Sequence, residues 1–174
     1  MRTAYLVLGP ESSGTRMLTR AFVAAGCFGD GGHVQRLDCL DFRGYPDRIV
    51  FRQSLPHGDG WPDCPRIVGS MTSAGYAVQP VLILRDKDHT VRSQRARKHA
   101  FSRRQARRRI TDALDFAYRQ LAEVDHTPLV VLYEPFVRYE AVRRTFFEQL
   151  GLECPTMEFF DANARHRRTS LRWW

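Results

Sequence analysis

Short apolar runs separate longer segments of mixed polarity along this chain. Four such runs stand out, at residues 4–8, 49–52, 81–84 and 129–133. Val, Leu and Ile make up most of their positions, and the runs at 81–84 and 129–133 contain no polar residue apart from the tyrosine that ends the latter. Continuous apolar runs of this length are typical of strands that are buried on both faces of a parallel sheet.

Helix-compatible sequence lies between these strands. The segments are 15–25, 89–123 with a break near 100–102, and 136–150, which Gly151 closes as a C-cap, while 66–77 is either helical or irregular. Stretches rich in Gly, Asp and Pro, 26–47 and 58–65, are predicted to be irregular. Alternating strands and helices predict an α/β fold with a three-layer parallel sheet, helices on both faces, and a single domain over residues 1–174.

The loop after the first strand carries the most specific chemistry. Gly9 and Gly14 permit the backbone angles that let successive N–H groups converge on an anion, and the following helix N-terminus adds partial positive charge. Their spacing is that of the nucleotide P-loop, but Thr15 and Arg16 follow where Lys and Ser or Thr are usual. The lysine that contacts the outer phosphates of ATP and the hydroxyl that holds magnesium are therefore out of place. The loop predicts a phosphate site, in a P-loop-type fold, that is not built for ATP in the usual way.

Four residues with functional side chains or flexible backbone follow predicted strands directly. They are Gly9, His57, Arg85 and Glu134. Because ligands of parallel sheets bind at the carboxyl ends of the strands, we expect these residues to share one cleft. The irregular stretches 26–47 and 54–66 are expected to form the substrate pocket of that cleft, and their shortness suits an open cleft and a large substrate.

Charge and cysteine content limit the partners and the compartment. The net charge is +8, and all but two of the 27 basic residues are arginine, which binds phosphate and sulfate in a bidentate way. An anionic ligand, an acidic acceptor or a nucleic acid would suit this charge, and a genomic preference for arginine codons explains it equally well. The cysteines are scattered, at Cys27, Cys39, Cys64 and Cys154, which predicts a reduced cytoplasmic protein without a metal site.

No apolar stretch reaches the roughly 18–20 residues that span a bilayer, and the run after Arg2 ends at a glycine turn. Neither a membrane partner nor a signal peptide is therefore expected. The densest basic run, from Arg95 to Arg109, has two interpretations. It is either a solvated helix face or a docking surface for an acidic polysaccharide, nucleic acid or peptide.

Three segments, in order, resemble the sulfotransferases that use 3′-phosphoadenosine 5′-phosphosulfate. The loop Gly9–Thr15, with the sequence GPESSGT, is similar to the family's loop for the 5′-phosphosulfate. Arg85 at a strand end and Ser93 eight residues later keep the spacing of the family's 3′-phosphate site. The strand VLYE at 131–134, followed by FFEQLGL at 146–152, is similar to a late strand-and-helix segment of the family.

The resemblance implies the donor, its product and a set of binding residues. It implies metal-free, in-line transfer of a sulfuryl group from this donor to a hydroxyl or amine, leaving 3′,5′-adenosine bisphosphate. Backbone N–H groups from Ser12 to Thr15, with the Thr15 hydroxyl, would hold the 5′-phosphate, and Arg85 and Ser93 the 3′-phosphate. The donor-binding set implied by the resemblance is Gly9, Glu11, Ser12, Ser13, Gly14, Thr15, Arg16, Arg85 and Ser93.

Two features of the family are missing. Many members carry Lys or Arg where this chain has Ser12, and Arg16 is the nearby candidate to supply that charge. The Arg-Lys-Gly loop near the C-terminus of the cytosolic members is also absent, and Arg167 and Arg168, with Arg165, are candidates to replace it.

The catalytic base has two main candidates. His57 lies in RQSLPH, a segment similar to the family's KTHLP, but displaced past the proline, and His33 lies in the irregular segment after the first helix. Glu11 is in the loop itself, where a carboxylate beside bound phosphates is unfavourable.

Two other functions are kept as alternatives. The first is a small P-loop kinase or nucleotidase in which Asp86 or Glu134 replaces the usual metal-binding acid. The second is a non-catalytic protein that binds anions or nucleic acid through residues 95–109, although no helix-turn-helix, zinc-finger or RNA-recognition signature supports it.

Overall fold

The computed structural model describes residues 1–29, 37–57 and 60–164, and this part of the chain forms five strands and six α-helices. The strands are β1 Arg2–Pro10, β2 Phe28–Gly29, β3 Arg48–Leu55, β4 Tyr76–Leu84 and β5 Leu129–Leu132. The helices are α1 Thr15–Ala24, α2 Cys64–Ser73, α3 Lys87–Ala96, α4 Arg103–Ala122, α5 Tyr133–Arg138 and α6 Glu140–Gln149. Two short 3-10 helices, Leu37–Cys39 and Phe42–Gly44, precede β3.

All five strands are parallel, in the order β2-β3-β1-β4-β5, so β1 lies at the centre of the sheet. The strand β1 is buried along seven consecutive residues because both of its faces are covered. On one face Leu6 and Leu8 pack in a core with residues of α2 and α4. On the other face Tyr5 and Val7 pack in a core with residues of α1, α5 and α6. The predicted α/β fold, with helices on both faces of a parallel sheet, is confirmed.

The direction of the connections changes at the central strand. The chain leaves β1 through α1 on one face of the sheet, whereas it leaves β3 and β4 through helices that pack on the other face. In open α/β sheets, ligand sites form at the carboxyl ends of strands where the connections diverge in this way. The loop after β1 occupies that position.

Three strands, β1, β3 and β4, are longer than the apolar runs predicted. Strand β4 begins at Tyr76 rather than at residue 81, and it includes Pro80. Pro80 is tolerated because β5 pairs with β4 only from Val81 onward, so no ladder hydrogen bond on that side is lost. Strand β3 continues to Leu55 through polar residues that are buried rather than exposed.

The helical predictions hold with one correction. The predicted break near 100–102 is confirmed, because α3 ends at Ala96 and Ser102 caps α4 by accepting a hydrogen bond from the Gln105 N–H. The single helix predicted over 136–150 is instead two helices, separated at Tyr139, whose backbone is extended. Gly151 has φ of +64° beyond α6, as the predicted C-cap requires. Within the described residues no helix is both long and apolar enough to cross a bilayer.

Candidate functional site

A cavity of about 430 Å³ opens at the carboxyl edge of the sheet, beside the loop that follows β1. Its volume is within the range of small-molecule sites, roughly 300–1,000 Å³. The walls come from that loop, from the ends of β3 and β4, and from the segment that joins α3 to α4. The lining residues include Glu11, Ser12, Gly14, Thr15, Arg16, Arg20, Arg52, Ser54, His57, Arg85, Arg97, His99, Tyr133 and Glu158.

The cavity is positively charged. Five arginines and two glutamates are among its described lining residues. One of the glutamates, Glu11, is buried, and its carboxylate lies 3.5 Å from the Arg109 Nη2 atom and 3.7 Å from the His99 Nδ1 atom. Because the lining arginines outnumber the lining carboxylates, the cavity suits an anionic ligand.

The loop between β1 and α1 needs glycine at its last position. Gly14 has φ of +110°, and a Cβ atom there would lie only 2.6 Å from Cδ2 of Tyr133. Ser12 also has a positive φ, +70°, which is uncommon for a residue with a side chain. The loop therefore turns sharply, and its tip passes close to the first residue after β5.

Several hydrogen-bond donors of this loop lack acceptors. Within the described part of the chain, the N–H groups of Ser12, Gly14 and Thr15 have no acceptor, and the buried hydroxyls of Ser12 and Ser13 have no partner. The N–H of Ser13, which the resemblance assigned to the donor phosphate, instead donates to the Pro10 carbonyl at 3.0 Å. Donors without acceptors are costly, and an oxyanion bound in the cavity would satisfy the three N–H groups and the Ser12 hydroxyl. The residues present thus fit a phosphate group.

Arg85 joins β4 to this loop. Its Nη1 donates to the Ser12 carbonyl at 2.8 Å, and its Nε and Nη2 donate to the side-chain oxygen of Asn163 at 2.9 and 2.5 Å. The guanidinium lies over the Tyr133 ring, with its carbon 4.7 Å from the ring centroid. Burial lowers the pKa of Arg85, and the nearby phenol of Tyr133 and carboxylate of Glu134 act in the opposite direction. A rigidly held, half-buried cation therefore stands at the cavity wall.

Glu134, which follows β5, does not line the cavity. Its carboxylate accepts hydrogen bonds from the Asn163 side chain at 2.9 Å and from the Asp86 N–H at 3.1 Å. Since Asn163 also binds Arg85, Glu134 holds the partner of the cavity arginine in place. Its role in this structure is that of a support.

A second buried cation, Arg52, was not selected from the sequence. Arg52 lies on β3 with only 6% of its surface exposed, and its Nη1 donates to the Ser54 hydroxyl at 3.3 Å. The Ser54 and Thr15 hydroxyls are also 3.3 Å apart. The signal that could have identified Arg52 is a charged residue at the end of the apolar run 49–52, close to the carboxyl end of the strand.

Three of the residues predicted to bind the sulfuryl donor lie behind the cavity wall. Gly9 is packed so closely that a Cβ atom would meet the Ser13 hydroxyl at 2.6 Å and the Ile83 carbonyl at 2.8 Å. Ser13 is buried below the loop, and Ser93 is buried in α3. Gly9, Ser13 and Ser93 are therefore not among the lining residues, while Glu11, Ser12, Gly14, Thr15, Arg16 and Arg85 are.

Only one of the two predicted bases, His57, lies within the described residues. His57 is exposed at the cavity, and its backbone pairs with Gly60. His33 lies outside the described residues, as do Arg165, Arg167 and Arg168. His99, which was missed because it lies within the basic run, lines the cavity beside Glu11.

Comparison with models of known protein families and with curated proteins finds no match to this chain. Within the described residues, no group of three or more His, Cys, Asp or Glu side chains is arranged to hold a metal ion. The function must therefore be argued from the cavity itself.

Proposed function

We propose that this protein is a sulfotransferase that moves a sulfuryl group from 3′-phosphoadenosine 5′-phosphosulfate to a hydroxyl or amine. One observation carries the proposal. The loop GPESSGT and Arg85, which resemble the family's two phosphate sites, border the same cavity, with the Arg85 guanidinium 2.8 Å from the Ser12 carbonyl. The charge of the cavity suits a ligand with several anionic groups.

The loop and α1 would hold the 5′-phosphosulfate. The unused N–H groups of Ser12, Gly14 and Thr15 and the hydroxyl of Ser12 supply donors, and the start of α1 adds partial positive charge. Arg85 would bind the 3′-phosphate, the group that distinguishes this donor from ATP. Ser93 keeps the family's spacing to Arg85, but it is buried in α3 and does not line the cavity.

Arg52 would replace the loop lysine or arginine that many family members have. It is a permanent cation, it lines the cavity, and its hydrogen bond to Ser54 directs it toward Thr15 at the start of α1. Arg16 also lines the cavity but is exposed, so its charge is more strongly screened. Arg52 is therefore the stronger candidate to stabilise the charge that develops on the leaving bisphosphate.

The reaction requires one bond to form and one to break. The acceptor oxygen or nitrogen attacks sulfur, the bond between sulfur and the bridging phosphate oxygen breaks, and the electron pair leaves with 3′,5′-adenosine bisphosphate. His57 would take the proton from the acceptor, because its imidazole faces the cavity and is open to solvent. The arginines would stabilise the anionic transition state without a metal ion.

A transfer assay tests the proposal. The protein is incubated with ³⁵S-labelled donor and a panel of sugars, phenols, amines and polysaccharides, in the presence of EDTA. We expect label on at least one acceptor, with one bisphosphate released per sulfuryl group and no transfer by the R85A variant. Transfer of the γ-phosphate of ATP in magnesium, with no sulfuryl transfer to any acceptor, would contradict the proposal.

A further inference from the structure

The positive charge of this chain is concentrated in one segment. Residues 95–109 contain eight of the 27 basic residues and no carboxylate, and the net charge of the whole chain is +8. The remaining residues therefore carry equal numbers of basic and acidic side chains. A genomic preference for arginine would raise arginine throughout the chain, and it does not explain why the whole excess lies in 15 consecutive residues.

This segment forms an exposed surface at the end of α3, the connection to α4 and the first turns of α4. We define the basic surface as the seven exposed residues Arg95, Arg97, Lys98, Arg103, Arg104, Arg107 and Arg108. Arg107 pairs with Asp88 at 3.1 Å and Arg108 with Asp112 at 3.5 Å. Within the described residues, Arg95, Arg97, Lys98 and Arg104 have no carboxylate at ion-pair distance.

The basic surface is continuous with the cavity. Arg97 belongs to both, and His99 on the same connection also lines the cavity. Burial is the main cause that lowers the pKa of Arg85, and the positive charge of nearby Arg97 lowers it further. An anionic chain that lies along α4 would therefore pass the mouth of the cavity.

We propose that the basic surface binds an anionic polysaccharide and presents its hydroxyl groups to the cavity. This inference rests on the proposed function, because sulfuryl transfer needs an acceptor with a free hydroxyl or amine. A carboxylated polysaccharide carries hydroxyls and negative charges along its whole length, whereas DNA has free hydroxyls only at its ends. The segment 95–109 contains one phenyl ring, Phe101, which is too few for the stacking platforms of proteins that bind single-stranded nucleic acid.

Fluorescence anisotropy with labelled polygalacturonate tests this surface over a series of salt concentrations. Dextran serves as the neutral probe, and a DNA duplex and poly(A) serve as nucleic-acid probes. The R95Q/K98Q/R104Q variant removes three charges of the basic surface, and none of these residues lines the cavity. The matched control R66Q/R119Q/R144Q removes three exposed arginines from α2, the far end of α4 and α6.

We expect polygalacturonate to bind wild type and the control within twofold of each other, and the surface variant to bind at least about tenfold more weakly, with a shallower salt dependence. Dextran should not bind. An equal loss in the control, tighter binding of either nucleic acid, or no polygalacturonate binding would overturn the inference.

Binding of 3′,5′-adenosine bisphosphate to the same proteins separates this inference from the proposed function. We expect the surface variant to bind the bisphosphate as wild type does. If wild type binds polygalacturonate but not the bisphosphate, the proposed function fails while the polysaccharide surface stands. If it binds the bisphosphate but not polygalacturonate, only the surface is wrong.

Discussion

The guanidinium of Arg85 donates a hydrogen bond to the main-chain carbonyl of Ser12, with 2.8 Å between Nη1 and the oxygen. The two residues are 73 positions apart in the chain, and the bond joins the end of β4 to the loop after β1. The position of the loop is thereby coupled to the cation beside it. Loss of either partner should change the anion site as a whole.

This coupling predicts unequal effects of two substitutions at Arg85. R85A removes the charge and all three hydrogen bonds, and we expect it to weaken binding of 3′,5′-adenosine bisphosphate by about 100-fold, or roughly 3 kcal/mol. R85K keeps a charge but lacks the fork that reaches both Ser12 and Asn163, so we expect an intermediate loss. Calorimetry measures both affinities, and thermal melts check that each variant is folded. Equal affinities for wild type and R85A would contradict the prediction.

Gly14 is predicted to be irreplaceable for a steric reason in addition to its backbone angle. G14A should cost at least twice as much free energy of unfolding as G75A, which we expect to cost about 1 kcal/mol. Both glycines have positive φ, +110° and +86°, but a Cβ at Gly75 meets no atom of the described residues within 4 Å. A Cβ at Gly14 meets the Tyr133 ring at 2.6 Å. Urea unfolding of the two variants tests the difference, and equal losses would show that only the backbone angle matters.

Much of the fold could be predicted because the apolar runs correspond to doubly buried strands. The strands around 4–8, 49–52, 81–84 and 129–133 are all present. The full lengths of the strands could not be predicted. Strand β3 extends through polar residues such as Gln53 because they are paired and buried in the sheet. Strand β4 can include Pro80 because β5 pairs with β4 only from Val81 onward. Propensity reports on single residues, whereas strand length depends on neighbours in the sheet.

The candidate site was predictable only where a motif or a strand end marked it. Arg85 and His57 follow strands, so parallel topology placed them at one edge. Arg52 and His99 were not predicted, because one lies inside a strand and the other inside a basic run. Gly9 and Ser93 were selected because their spacings to Gly14 and Arg85 resembled those of ligand sites. In the structure both residues are buried away from the cavity.

Arg52 is predicted to supply the charge that the loop lacks. We expect R52Q to weaken bisphosphate binding about tenfold or more, because it removes a buried cation beside Thr15. R48Q is the matched control, because Arg48 is exposed and lies at the amino end of the same strand, away from the cavity. Calorimetry of both variants measures the difference. Similar losses for R52Q and R48Q would remove Arg52 from the site.

The identity of the base is tested by comparing two histidines of the cavity. We expect H57Q to lower kcat by about 10²-fold or more with little change in donor affinity, because a general base acts on the acceptor proton. H99Q should have the smaller effect, since His99 faces the buried carboxylate of Glu11. Steady-state kinetics with the labelled donor give both values. The reverse order would assign the base to His99.

The buried thiols predict lower stability in alkaline solution. Burial raises the pKa of the Cys27 thiol to about 11 and that of Cys64 to about 12, whereas the unfolded chain releases these protons near pH 8.5. Above that pH the unfolded state therefore binds fewer protons than the folded state. The free energy of unfolding should fall between pH 9 and 11, by up to about 1.4 kcal/mol per pH unit for each thiol. Denaturant titrations in a reducing buffer measure this slope.

Single substitutions separate the contribution of the thiols from that of other groups. C64A should make the pH slope shallower, and C39A, which removes an exposed thiol, should leave it unchanged. An equal slope in wild type and C64A would mean that Cys64 does not govern the alkaline loss of stability.

The proposed function requires the cavity to bind a 3′-phosphorylated adenosine nucleotide through the loop after β1 and Arg85. Calorimetric titration with 3′,5′-adenosine bisphosphate in EDTA, beside titration with ATP and magnesium, tests it most directly. We expect tight, metal-independent binding of the bisphosphate, weaker binding of ATP, and about 100-fold weaker binding of the bisphosphate by R85A. Tighter binding of ATP with magnesium than of the bisphosphate would contradict it.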